Sequence, residues 1–271
     1  MTTDIEPAAA TDSASDDSAA VPRRASSAPR LFWLAPLVSF GALGAFFGQV
    51  FAAGLLVTPW YMPIGGTAAA ILAIGTIGRP LRWWRVLVTG GCLLIACMQW
   101  VFLLALTALP TYSGQVTSGS KLPSFHANLA DGTEISNSYF QQGETTLLVF
   151  FQGRWCPFCM THLRELEAHH DEFDKVSCKP VVVSIEDVET AAQSQRDFPH
   201  LTVVSDKRRE LAEAVDVINT GFGPDGQDSA APTILLIDGA GKVLWIHRPT
   251  RFISRPSAAE LAAKVAKQRM H

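Results

Sequence analysis

Residues 147–159 read Leu-Leu-Val-Phe-Phe-Gln-Gly-Arg-Trp-Cys-Pro-Phe-Cys. The apolar run 146–151 predicts a buried strand, Gln152–Trp155 a short loop, and Cys156-Pro-Phe-Cys159 the opening of a helix. Pro157 suits the first helical turn, where it has no amide hydrogen to lose. A helix N-terminus presents unpaired amide hydrogens and a positive dipole end, which stabilise a thiolate at Cys156. Arg154 adds positive charge, and Trp155 either shapes a substrate face or packs. Cys159 lies one turn on, within disulfide reach of Cys156. The pair can cycle between dithiol and disulfide through a mixed-disulfide intermediate.

Working outward, short apolar runs alternate with helical patterns. SFHANL and EIS flank Asp131-Gly132, which predicts a small hairpin. Strands are expected at 146–151, 180–185 and 201–205, and a hairpin at 232–247. Helices are expected over Pro157–Phe173, Val188–Phe198, Lys207–Val217 and Ser257–Gln268. This order predicts an α/β domain with a mixed sheet over residues 123–271, joined through a polar linker, residues 110–122.

The stretch Phe150-Phe-Gln-Gly-Arg-Trp-Cys-Pro-Phe-Cys159 resembles the active-site turn of the thioredoxin superfamily. More narrowly it resembles the redoxin group of alkyl hydroperoxide reductase and thiol-specific antioxidant proteins. Ala231-Pro232-Thr233-Ile-Leu-Leu-Ile resembles the segment where that superfamily sets a cis-proline against the disulfide, which assigns Pro232 to the site. Val203-Val-Ser-Asp206 followed by a helix also resembles redoxins. The likeness covers about residues 120–270 and implies a thioredoxin-like mixed sheet flanked by helices. Two positions depart from the pattern. Thioredoxins carry a buried acid six residues before the first cysteine, where this chain has Phe150. Peroxiredoxins have Thr-x-x-Cys, which puts Cys156 at the threonine and maps the peroxidatic cysteine to Cys159. No arginine stands beside Pro232 to orient a peroxide, and Arg154 is the substitute in view.

The remaining cysteines and histidines read as structural. A zinc site at Cys156 and Cys159 needs two more ligands; His162 and Cys178 are available, but no second Cys-x-x-Cys or His-x-x-x-His exists. No metal and no cofactor are expected. Cys178, ahead of a strand, is either a packing thiol or a resolving partner. His169 and His170 lie about 20 Å along a helix from Cys156. Glu165 and Glu167 are expected on a solvated face.

The other half of the chain differs in kind. The protein has 271 residues, 48% hydrophobic and 17% charged, with a mean hydropathy of +0.18. Its net charge of −3 gives no sign of a nucleic-acid partner. Five cysteines are too few for a disulfide-built scaffold. Residues 31–110 hold only three charges, Arg79, Arg82 and Arg85. A simple soluble enzyme is excluded on that count. Residues 1–30 are rich in Ala, Ser, Asp and Pro and predict a disordered tail. Three apolar runs follow, Leu31–Val57, Tyr61–Gly78 and Val86–Leu109, and predict a bundle of about three spans; the second is the weakest, with Pro63, Gly65 and Gly66 near its start. Gly44-x-x-x-Gly48 offers a helix-packing face. Cys92 and Cys97 are about 140° apart on a helix and point to different faces.

Arg23, Arg24 and Arg30 precede the first run, and Arg79, Arg82 and Arg85 lie between the second and third. With three crossings both clusters fall on one side. This makes the tail cytoplasmic and the redox domain extracytoplasmic, as in a bacterial inner membrane. The expected function is a membrane-anchored thiol–disulfide oxidoreductase acting on protein disulfides. The alternatives are a peroxiredoxin-like thiol peroxidase acting on hydroperoxides with a thiol electron donor, and a non-catalytic redox sensor or scaffold in the bilayer.

Overall fold

The computed structural model describes residues 28–78 and 81–269. The predicted tail, up to residue 27, and Arg79 lie outside them. Helix α1 (Ala28–Phe47) continues through a wider turn, Gly48–Ala52, to residue 52. Helix α2 is Tyr61–Thr76, and α3 (Trp83–Val101) continues through Phe102–Leu106. Two of these stretches, Leu31–Ala52 and Trp83–Leu106, are long and apolar enough to cross a membrane. The expected third is not. At about 1.5 Å per residue α2 reaches roughly 24 Å, short of the ~30 Å hydrocarbon core.

Helices α1 and α3 start at one end of this half, where Phe32 meets Trp84 edge-on at 5.5 Å and Trp33 stacks on Trp84 at 5.7 Å. Helix α2 runs back between them: Trp100 Nε1, late in α3, donates to Thr67 Oγ1, early in α2, at 2.9 Å. The close approach is at Gly66, where a Cβ would stand 2.0 Å from Gln99 Oε1. Gly44 and Gly48 meet nothing within 4 Å, so the glycine face expected there is not used inside this chain. Cys92 is buried and Cys97 exposed, on different sides of α3.

The second half is built on a sheet. In chain order its strands are β1 (His126–Leu129), β2 (Glu134–Ser136), β3 (Thr145–Phe150), β4 (Cys178–Ser184), β5 (Thr202–Ser205), β6 (Ile218–Asn219), β7 (Ser229–Ala230), β8 (Thr233–Ile237) and β9 (Val243–His247). Seven of them form one mixed sheet in the order β2-β1-β5-β4-β3-β8-β9. β3, β4 and β5 pair in parallel, while β8 and β9 add antiparallel at one edge. The helices are α4 (Pro157–Ala168), α5 (His170–Lys175), α6 (Val188–Asp197), α7 (Glu210–Ala214) and α8 (Ala258–Arg269). This is the thioredoxin-like arrangement that the sequence predicts.

The strand runs are apolar throughout because both sheet faces are covered. Leu147, Val149, Val182, Ile234 and Leu236 pack on one side with α4, α6 and α8. Leu148, Phe150, Val181, Val183 and Leu235 pack on the other with Phe125, Phe140 and Leu211. The alternation is the period of two that a strand imposes.

Three local expectations are corrected. The helix expected over 157–173 breaks at His169, whose backbone leaves the helical region (φ −115°). The helix expected from Lys207 starts only at Glu210, because Arg209 is left-handed (φ 64°) and closes a turn onto Asp206 at 2.8 Å. Glu165 and Glu167 do not face solvent alone. Glu165 accepts from the Ala258 amide at the start of α8 (3.0 Å), and Glu167 accepts from the His200 amide (3.1 Å). Residues 110–122 lie against the sheet: Val116 and Leu122 are buried, and Gly119 N donates to Val243 O at 2.7 Å.

Candidate redox site

β3 ends at Phe150, and the chain turns through Gln152-Gly-Arg-Trp to the N-terminus of α4. Gly153 sits at φ +148°, and a Cβ there would lie 2.7 Å from Glu186 Oε1 and 2.6 Å from Trp155 Nε1. The bare backbone lets the Glu186 carboxylate accept from Arg154 N at 3.0 and 3.1 Å, which fixes the loop. Cys156 caps α4, its Sγ accepting from Cys159 N at 3.4 Å. Pro157 stands in the first turn as expected.

Both thiols are buried, at 2% and 1% exposure. Cys156 Sγ lies 3.1 Å from Gln152 Oε1, and Cys159 Sγ lies 3.9 Å from the same oxygen. Facing Cys159 is Arg255, itself buried, with Nη2 3.9 Å from Cys159 Sγ. Burial opposes ionisation of Cys159. The hydrogen bond from Cys156, the Arg255 charge and the Gln152 backbone amide outweigh it and pull the thiol down to about 7. Cys156 moves the other way: its hydrogen bond to the Cys159 sulfur, and then burial, push its thiol up. Of the two sulfurs, Cys159, beside the guanidinium, is the one whose ionised form the surroundings favour. A cation at about 4 Å contributes on the order of a few kcal/mol to a partly desolvated anion, comparable with the cost of burying it.

The structure adds a second influence to the one expected at Cys156. The helix terminus alone favours the capping sulfur, but the arginine reaches the other one. Arg154, expected to add positive charge at the turn, sends its guanidinium outward to Asp197 (Nη1–Oδ2 2.7 Å). Arg255 escapes the sequence reading because it lies 96 residues beyond Cys159. It stands in a segment that also carries Arg248 and Arg251, and nothing in spacing singles it out. His162, one turn past Cys159, is fully buried. Burial, and then the Arg255 charge, hold its imidazole down to about 3, so it stays neutral behind the arginine.

Pro232 is buried and directly precedes β8, whose Thr233 pairs with Phe150. It therefore lies at the sheet end from which the Cys156 loop departs. Trp155 is 42% exposed. With Gln152, Glu186, Arg209 and Asp228 it borders a groove of about 270 Å³ that leads from solvent to Gln152, the residue touching both sulfurs. Cys178 pairs with Thr145 at the opposite end of the sheet, roughly 16 Å away along the strand. Cys178 is therefore not brought to the pair, either as a resolving thiol or as a fourth ligand with Cys156, Cys159 and His162. His169 and His170 bond to backbone carbonyls of α4, and His170 stacks on His200.

Residues 118–246 match the AhpC/TSA family model. A peroxiredoxin from Pyrococcus horikoshii is 26% identical over 137 residues, which is 46% of this chain and 60% of that protein. The chain thus spans less than two thirds of the curated relative it matches. Among solved structures, a mutant of PrxQ from Xylella fastidiosa covers 59% of this chain and all of its own, at 18% identity and a TM-score of 0.50. A mutant of peroxiredoxin 6 from Arenicola marina covers 57% of this chain and 74% of its own, at 17% identity and a TM-score of 0.50. In sequence over residues 118–246, and in its thioredoxin-like fold, the domain carrying Cys156 and Cys159 is similar to the AhpC/TSA redoxins.

Proposed function

We propose that the chain is a membrane-anchored thiol peroxidase in which Cys159 is oxidised by a hydroperoxide and Cys156 resolves it. The observation that carries this reading is the buried Arg255 guanidinium 3.9 Å from Cys159 Sγ. It stabilises a thiolate in the ground state and the developing negative charge as the peroxide bond breaks. The Cys159 thiolate attacks one peroxide oxygen, the O–O bond breaks, and the leaving alkoxide or hydroxide takes a proton. Cys159 is then a sulfenic acid. Cys156 attacks its sulfur, hydroxide leaves and is protonated to water, and the Cys156–Cys159 disulfide forms. A dithiol donor returns the pair to the reduced state by exchange. The Cys156 proton passes to the departing hydroxide, Gln152 Oε1 lies beside both sulfurs as a hydrogen-bond acceptor, and Pro232 and Trp155 border the approach.

The Cys-x-x-Cys pair itself favours the second reading, exchange with protein disulfides. Against it stands the covering of the motif: Phe158 is packed against Phe46 and Phe51 of the helical half, at 6.4 Å each, and Phe252, at 5.6 Å. A macromolecular disulfide needs that face, whereas a peroxide needs only a narrow path.

The helical half anchors the domain in a bilayer, with the end bearing Arg82 and Arg85 cytoplasmic and the redox domain across the membrane. The adjacency of Phe32, Trp84 and Arg85 supports this, since it sets the start of α1 and the arginine cluster at one end. Full-length reduced protein in detergent micelles should turn over hydrogen peroxide or an alkyl hydroperoxide with dithiothreitol, and Cys159→Ser should abolish turnover. Insulin disulfide reduction much faster than peroxide turnover, and lost in Cys156→Ser, would refute the peroxidase reading. Binding of partners without any turnover would favour a sensor.

A further inference from the structure

Arg255 lies in the crossing from β9 to α8, and this crossing is held from outside the redox domain. Leu109 N donates to Thr250 O (3.0 Å), and Phe252 N to Thr107 O (2.9 Å). Thr58 Oγ1 and Ser254 Oγ share a hydrogen bond of 2.7 Å. The Arg251 guanidinium donates to Leu103 O and sits over the Trp60 ring at 5.4 Å. Arg255 N itself donates to Leu56 O at 2.8 Å. Every one of these partners belongs to the α1–α2 connection or to the end of α3. The side chain that meets Cys159 is thus hung on a backbone fixed by the helical half.

We propose that the helical half is part of the redox site: residues Thr58, Trp60, Ser254 and Arg251 are positioning residues that hold Arg255 against Cys159. The membrane-facing half therefore sets the reactivity of the thiol as well as its location. Displacing the α1–α2 connection or the end of α3 withdraws the guanidinium and leaves Cys159 buried without its cation. The titratable and charged groups around the sulfur are Cys156 and Arg255, with His162 and His247 facing Arg255 from α4 and β9. None of them can replace the guanidinium, because both histidines are held below their usual range, first by burial and then by Arg255.

This inference rests on the assignment of Cys159 as the reactive thiol, but its readout does not need peroxidase turnover. In full-length protein in lipid nanodiscs, the pH profile of Cys159 modification by methyl methanethiosulfonate is followed by peptide mass spectrometry. Arg251→Met and Thr58→Ala should each move the midpoint upward, slowing modification at pH 7 by about three- to tenfold. Thr58→Ser, which keeps the hydroxyl, should restore the wild-type profile. In an Arg255→Gln background neither change should shift the midpoint further, because the effect passes through that side chain. Unchanged midpoints in both folded variants, or equal shifts with and without Arg255, would overturn the proposal. Shifted midpoints in a protein that never turns over peroxide would support it while sinking the peroxidase reading.

Discussion

Arg154 and Arg255 belong to two loops that approach the same pair of thiols from opposite directions in the chain. Arg154 is two residues from Cys156, on the active-site turn, yet its side chain leaves for a half-exposed ion pair with Asp197. Arg255 is 96 residues from Cys159 and ends buried against its sulfur. The difference comes from what fixes each backbone. Glu186 grips the Arg154 amide and aims the side chain away from the turn. The helical half grips the Arg255 amide and aims its side chain inward. Proximity in sequence sets neither outcome.

The comparison can be broken most severely at the thiols. Cys159→Ser removes the proposed nucleophile, so peroxide oxidation measured by stopped flow should fall at least about a thousandfold. Arg255→Gln should cost less, about ten- to a hundredfold at pH 7, by raising the Cys159 midpoint by a unit or more. For the wild type, oxidation should rise with pH and reach half its plateau near 7, since the thiolate reacts and Cys159 titrates at about 7. A flat profile from pH 5 to 9 would contradict the assignment. Cys156→Ser should leave the first oxidation within a few-fold of wild type but block disulfide formation, seen as the absence of a bridged peptide. Arg154→Gln is the mildest: the oxidation rate should stay within about twofold, and the lost surface pair should cost under about 1 kcal/mol in a thermal melt.

The same contrast explains how much was legible in the sequence. The strands were, because β3, β4 and β8 are covered on both faces and need unbroken apolar runs. The Cys156 turn was, because a strand, a loop and a proline at the first helical position are local signals. Glu165 and Glu167 were misread because their partners, Ala258 and His200, lie far along the chain. The three-span pattern counted apolar residues without fixing helix ends, and α2 stops at Thr76. Arg255 could not be read from local pattern at all. Its role depends on a crossing that two helices, 150–200 residues earlier, hold in place.

The central claim is that Cys159, not the capping Cys156, is the thiol that peroxide oxidises. Full-length Cys156→Ser protein, reduced and treated with limiting hydrogen peroxide in the presence of dimedone, tests it by peptide mass spectrometry. The predicted result is a dimedone adduct on Cys159, and none on Cys156 when Cys159→Ser is treated alike. An adduct on Cys156 in Cys159→Ser at the wild-type rate, with Cys159 unmodified in Cys156→Ser, would contradict it.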